Sequence, residues 1–286
     1  MAQIGGCANG RNDRLDNYRR YMVARGYAAT TMSARLSVAA DWLAWRRGDI
    51  EAAHTDVERW AASRGVGPAT TRNLHVALRA FYRWAMRDGI VRHDPTQLAD
   101  RPRVPAYLPR PAAGHDIARA IDGADVDMRA MLALMACAGL RCVECSRLNW
   151  RDVDLLAGTV IVDGKGHRER MIDLSPDVLR ALAHLALATP SRDGAVFVGH
   201  GGRRLSSASV SQRVARLCRA AGVTARAHQL RHYCATMALR QPGADLLAVR
   251  DLLGHASVST TQVYTAVVPG RTASTSRALR LPTSAA

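Results

Sequence analysis

The chain has 286 residues, 48% of them hydrophobic, with 40 Lys and Arg against 24 Asp and Glu for a formal net charge of +16. That length suits about two domains with ordinary cores, and so basic a chain points to an acidic polymer or surface as its partner. The longest apolar run, Met131 to Leu140, is about half a membrane span, and the first residues carry neither a basic nor an apolar leader region. A soluble, cytoplasmic protein with no membrane partner is expected.

Residues 1–10 read as an N-terminal tail, and residues 11–99 as a four-helix domain whose helices stop at Gly26, Gly48, Gly65 and Gly89. The first helix is expected near Arg11. Met32, Leu36, Ala39 and Leu43 behind a Thr30/Thr31 cap, and Leu74, Leu78, Phe81, Tyr82 and Ala85 behind Pro68, are spaced as apolar helix faces. Tyr18, Arg19, Arg20 and Tyr27 suit packing and solubility more than nucleic-acid contact. Residues 100–114 carry four prolines with Arg101, Arg103 and Arg110 and read as an extended basic linker. Such a linker would let two domains close around a polyanion.

Residues 115–286 form the second domain, mainly α with a small antiparallel β-sheet. Helical patterns cover Asp116–Ile121, Met128–Ala138 and Arg141–Leu148. A hairpin of Gly158–Asp163 and Glu169–Leu174 follows, then a third strand at Ala195–Val198. Further helices are expected near Pro176–Leu187, Ser207–Ala221, His228–Leu239 and Leu246–Leu253. No repeats and no glycine-rich phosphate loop occur. From Gly194 to Ala244 there is no acidic residue among eight arginines, unlike a solvated face of mixed sign.

Four segments carry chemistry. The only lysine, Lys165, sits at the hairpin tip in Asp163-Gly164-Lys165-Gly166, where a tight turn is expected. An ammonium can give up its proton when its pKa is lowered and a guanidinium almost never does, so Lys165 is a candidate proton donor. Arg141 starts a helix, where the dipole disfavours a cation and welcomes an anion; Glu144, one turn on, can hold its guanidinium. Arg141 therefore suits a phosphate partner. His228 and Arg231 share a helical face in His228-Gln229-Leu230-Arg231-His232. His228 and His232 have the spacing of metal ligands, but Gln229 stands where a zinc protease needs Glu, and no third ligand is evident. Cys142 and Cys145 form one C-x-x-C without a second pair, and the six cysteines show no disulfide framework, which fits a reducing compartment. The last segment, Leu252-Leu253-Gly254-His255, ends a helix at Gly254; Ser259 or Thr260 can cap a short helix bearing Tyr264.

In this order, the Arg141 segment, the G-K-G hairpin, the H-x-x-R box and the L-L-G-H…Y-T box resemble the tyrosine recombinase family of phage integrases and Xer-type recombinases. Arg25-Gly26-Tyr27-Ala28-Ala29-Thr30-Thr31 is similar to that family's core-site-binding domain. The resemblance implies that Tyr264 is the nucleophile, forming a 3′-phosphotyrosyl bond and releasing a 5′-hydroxyl. It also implies that Arg141 and Arg231 bind the non-bridging oxygens, that Lys165 is the general acid, that His228 and His255 complete the phosphate shell, and that Glu144 supports the first arginine. No metal, cofactor or ATP is implied. The partners implied are double-stranded DNA core sites and a homotetramer on synapsed DNA, with an excision factor or a host DNA-bending protein as accessories, at the bacterial nucleoid. With the first helix near Arg11, no arm-site-binding domain is expected ahead of it, which suggests a short phage-type integrase. A Xer-like or mobile-element recombinase shares the same chemistry, and a type IB topoisomerase is a more distant alternative. A non-catalytic DNA-binding regulator is the alternative from another class, and Tyr264, Lys165 and both arginines weigh against it. Residues 270–286, with Leu279 and Leu281, suit docking on a neighbouring subunit or a disordered end.

Overall fold

A computed structural model describes residues 5–105, 108–164, 169–241, 243–255 and 261. The chain divides into two compact units, Met1–Ala106 and Tyr107–Ala286. Among the described residues, no helix is long and apolar enough to cross a membrane. Lys165 and Tyr264 lie outside the described residues, as do the hairpin tip, the Ser259/Thr260 cap and the tail 270–286.

The first unit is a four-helix domain of α1 (Gly5–Ala24), α2 (Ala29–Trp45), α3 (His54–Ser63) and α4 (Pro68–Arg87). Helix α1 begins ahead of Arg11, because Cys7-Ala8-Asn9-Gly10 joins the helix although Asn and Gly are weak helix formers. In α2 the cap is Ala28, and Thr30 and Thr31 lie inside the first turn. The chain reverses at Gly26 (φ 67°), with the Tyr27 amide donating back to Met22, which leaves room for the earlier start. The core is aromatic. Tyr18, Trp42, Trp60, Phe81, Tyr82 and Trp84 are buried, Trp42 Nε1 donates to Tyr82 Oη (2.9 Å), and Tyr82 donates to the Ile50 carbonyl (2.8 Å). The polar tips of Trp42 and Tyr82 thereby gain partners, which removes the cost of burying them alone. Tyr18 belongs to this core rather than to the surface.

The second unit is mainly α with a small antiparallel sheet. It contains α5 (Gly114–Asp122), α6 (Val126–Cys137), α7 (Cys142–Arg147), α8 (Pro176–Ala188), α9 (Ser207–Ala220), α10 (Ala227–Arg240) and α11 (Leu246–Leu253). Helix α6 is apolar on every face, with Ala130 to Ala136 all buried, and so forms the centre on which the other helices pack. Asp125 caps it, accepting from the Met128 amide at 2.8 Å. Three strands, β1 (Val153–Asp154), β2 (Thr159–Asp163) and β3 (Glu169–Asp173), lie side by side in chain order and antiparallel, with Val160 opposite Ile172 and Val162 opposite Arg170. Their third member is β1, not Ala195–Val198. That run is bounded by Gly194 and Gly199 and makes only single bridges, Asn149 with Ala195 and Val198 with Arg204. Alternation along β3 turns Arg170 and Ile172 inward and leaves Glu169, Met171 and Asp173 exposed.

Candidate active site

The site is built around the C-terminal end of α11. An α-helix leaves its last carbonyls without intrahelical partners. Here the Gly254 amide donates to Asp251 (3.0 Å) and the His255 amide to Arg250 (3.1 Å), with Gly254 left-handed at φ 60°. This Schellman closure serves two carbonyls. The next three, of Leu252, Leu253 and Gly254, each accept from an arginine of a different element. Arg170 Nε of β3 donates to Leu252 (3.0 Å), Arg231 Nη2 of α10 to Leu253, and Arg141 Nη2, at the N-cap of α7, to Gly254 (3.3 Å). The negative end of the helix dipole favours such cations.

Glu144 binds the same arginines from the other side. Its Oε1 accepts from Arg141 Nη1 (2.7 Å) and Arg170 Nη1 (3.1 Å), and its Oε2 from Arg170 Nη2 (3.0 Å) and the Arg141 amide (2.8 Å). Arg231 Nη1 lies 3.9 Å from Oε2. Burial opposes ionisation of this carboxyl, but hydrogen bonding and charge from Arg170, then from Arg141, outweigh it and hold the carboxyl below its usual range. Among the described residues, three guanidiniums face the one carboxylate of Glu144. Side-chain exposure grades from 2% for Arg231 through 11% for Arg170 to 35% for Arg141. Arg141 is thus the most accessible of the three guanidiniums and Arg231 the deepest.

Arg231 is held by a second carbonyl, that of Gly139. Gly139 follows α6 at φ 68°, and a Cβ there would stand 2.8 Å from Leu253 Cδ2 and 3.2 Å from Cys234 Sγ. Only glycine combines that backbone with that approach.

His228 and His255 complete the cluster. His255 Nδ1 shares a hydrogen bond with Thr261 Oγ1 (2.9 Å), and its pKa is pushed down to about 4 by burial and by the fields of Arg231, Arg141 and Arg170. Desolvation, and then the charges of Arg231 and Arg141, also lower His228. Behind it His232 meets its ring edge to face at 4.2 Å and falls to about 4, through burial and the charge of its neighbours. All three imidazoles are thereby shifted toward the neutral form.

The structure thus gathers Arg141, Glu144, Arg231, His228 and His255, which come from three separate stretches of sequence. Arg170 is the member that sequence reasoning missed. One signal was present: in Glu169-Arg170-Met171-Ile172-Asp173 the period of two puts Arg170 on the face of Ile172, and an arginine on an inward strand face needs a buried partner.

Residues 115–271 match the phage integrase family. The chain is 40% identical over 212 residues to the tyrosine recombinase XerC of Azotobacter vinelandii, covering 71% of each protein. It is 36% identical over 261 residues to the XerC of Pseudomonas aeruginosa (strain LESB58), covering 88% of this chain and 83% of that one. Among solved structures, the XerH site-specific recombinase bound to a palindromic difH substrate superposes with a TM-score of 0.70 at 20% identity, over 89% of this chain and 81% of that one. At that identity the likeness speaks for the fold. Taken with the sequence relationship, it places the chain in the phage integrase family, as a site-specific tyrosine recombinase.

Proposed function

We propose that the chain cuts and rejoins DNA through Tyr264, with the cluster at the end of α11 receiving the scissile phosphate. The phenol of Tyr264 releases its proton to solvent as its oxygen attacks phosphorus, and the bond to the 5′-oxygen breaks. That oxygen leaves with a proton from Lys165, and the DNA 3′ end stays on the tyrosine. Attack by a 5′-hydroxyl reverses each step. One phosphate ester is exchanged for another, so resealing consumes no ATP. Arg141 from the solvent side and Arg231 from beneath neutralise the non-bridging oxygens, His228 and His255 complete the shell, and Glu144 orients Arg141. Charge held where the transition state develops its own is the largest single source of rate in such sites. Two guanidiniums do here what metal ions do in other phosphoryl-transfer enzymes.

The observation that carries this reading is the convergence of Arg141, Arg231, His228 and His255 on one helix end, with positive charge in excess of Glu144. The test is covalent capture on nicked suicide duplexes drawn from a randomised pool. Wild type should form a protein–DNA adduct, and Tyr264→Phe should bind the same duplexes and form none. An adduct with Tyr264→Phe would remove the tyrosine from its role.

The helical unit, residues 11–99, is proposed to grip the core site, with residues 100–114 as the basic linker to a catalytic unit that works in a DNA-bound tetramer. For the biological role, the phage-type integrase reading stands on the family match. A second reading, a Xer-like recombinase acting on bacterial DNA, is favoured by the 36–40% identity to XerC proteins over most of the chain. The recovered target sequence separates the two. A site at a phage–host junction supports integration, and one in a bacterial chromosome or plasmid supports resolution.

A further inference from the structure

Arg170 is not among the side chains assigned to the phosphate, yet it joins the buried carboxylate of Glu144 to the end of α11. Each of its three nitrogens makes a hydrogen bond: Nη1 and Nη2 meet the two oxygens of Glu144 at 3.1 and 3.0 Å, and Nε meets the Leu252 carbonyl at 3.0 Å. Such a fork fixes direction as well as charge. The Glu144 side chain is 1% exposed, so its orientation is set by these bonds and not by solvent. Gly254 supplies an independent sign that the space is reserved, since a Cβ there would stand 2.8 Å from Arg170 Nη1. Leu252 is three residues before His255 and next to Leu253, whose carbonyl holds Arg231.

We propose that Arg170 is a positioning residue for strand cleavage: by tying the end of α11 to Glu144, it fixes the row of carbonyls and the carboxylate against which Arg141, Arg231 and His255 are oriented. The inference rests on the proposed reading of the cluster as the phosphate site and deepens it. Arg170 spends its hydrogen bonds inward and reaches no substrate atom. Its contribution is geometric, and a displacement of about 1 Å at such a site costs about a hundredfold in rate.

Lysine at this position keeps the positive charge, but one nitrogen cannot span both oxygens of Glu144 and the Leu252 carbonyl. The experiment measures single-turnover adduct formation at saturating suicide duplex, with Kd taken separately in the Tyr264→Phe background. Arg170→Lys should lower the cleavage rate about a hundredfold and leave Kd unchanged. The double variant Glu144→Gln/Arg170→Gln removes both buried charges. It should melt higher than Arg170→Gln alone and still cleave slowly. If Arg170→Lys or the double variant cleaves at the wild-type rate, Arg170 is only a counter-charge for Glu144 and the inference fails. It fails equally if the whole loss appears in Kd. Wild type without any adduct would overturn the phosphate-site reading and this inference together, whereas a Tyr264-dependent adduct that Arg170→Lys forms at full speed would overturn this inference alone.

Discussion

At the scale of single residues, burial first and neighbouring positive charge second push the imidazoles of the site toward their neutral forms. His232 and His255 are both pushed to about 4, below the ordinary 6.5 of a free histidine, and His228 moves the same way. The unfolded chain therefore binds more protons than the folded one between about pH 6.5 and pH 4. Stability from these rings is fully present above pH 6.5 and is lost as pH falls through that window. Below it the depressed carboxyl of Glu144 adds a further loss in the same direction. The urea midpoint should fall steadily from pH 7 to pH 4.5, and His232→Gln should flatten that fall; a midpoint that holds or rises on acidification contradicts the assignment. Legibility at this scale was uneven. Arg141 and Glu144, three apart, could be paired from helix geometry, and their 2.7 Å contact is local. Arg170 meets Glu144 across 26 residues and Leu252 across 82, and no local rule encodes such pairings.

At the scale of elements, the site depends on two backbone turns more than on any helix face. The turn after α6 carries Gly139, whose carbonyl holds Arg231 and whose missing side chain admits Leu253 and Cys234. Gly139→Ala should cost about 2 kcal/mol or more, through left-handed strain and a clash at the end of α11. Urea unfolding checks the loss, and a stability within error of wild type would show that the α6–α7 turn and α11 do not meet as described. Helices were the readable part of the sequence because the periodicity of a helix face is local; α11 runs from Leu246 to Leu253, the bounds its pattern gives. Strands were less readable. Ala195–Val198 has the apolar run of a buried strand, but a strand needs a partner along its length, and only Asn149 and Arg204 offer single bridges.

At the scale of the whole molecule, the charge of +16 and the arginine-rich, acid-free stretch from Gly194 to Ala244 state the partner's chemistry before any fold is known. What the sequence could not state is which cations serve the polyanion in general and which serve one phosphate. Folding separates two sets: Arg141, Arg170 and Arg231 are drawn onto the end of α11, the first and last of them proposed to meet one phosphate, while Arg203, Arg216 and Arg219 stay at the surface of the second unit. The Arg141 guanidinium is proposed to neutralise a non-bridging oxygen of the scissile phosphate. A suicide duplex with a methylphosphonate at the cleavage position lacks that negative charge and tests the claim most directly. On the ordinary phosphodiester, Arg141→Ala should cut the rate of adduct formation by about a hundredfold or more, and on the methylphosphonate most of that loss should vanish. An equal loss on both substrates would mean that Arg141 does not face the phosphate.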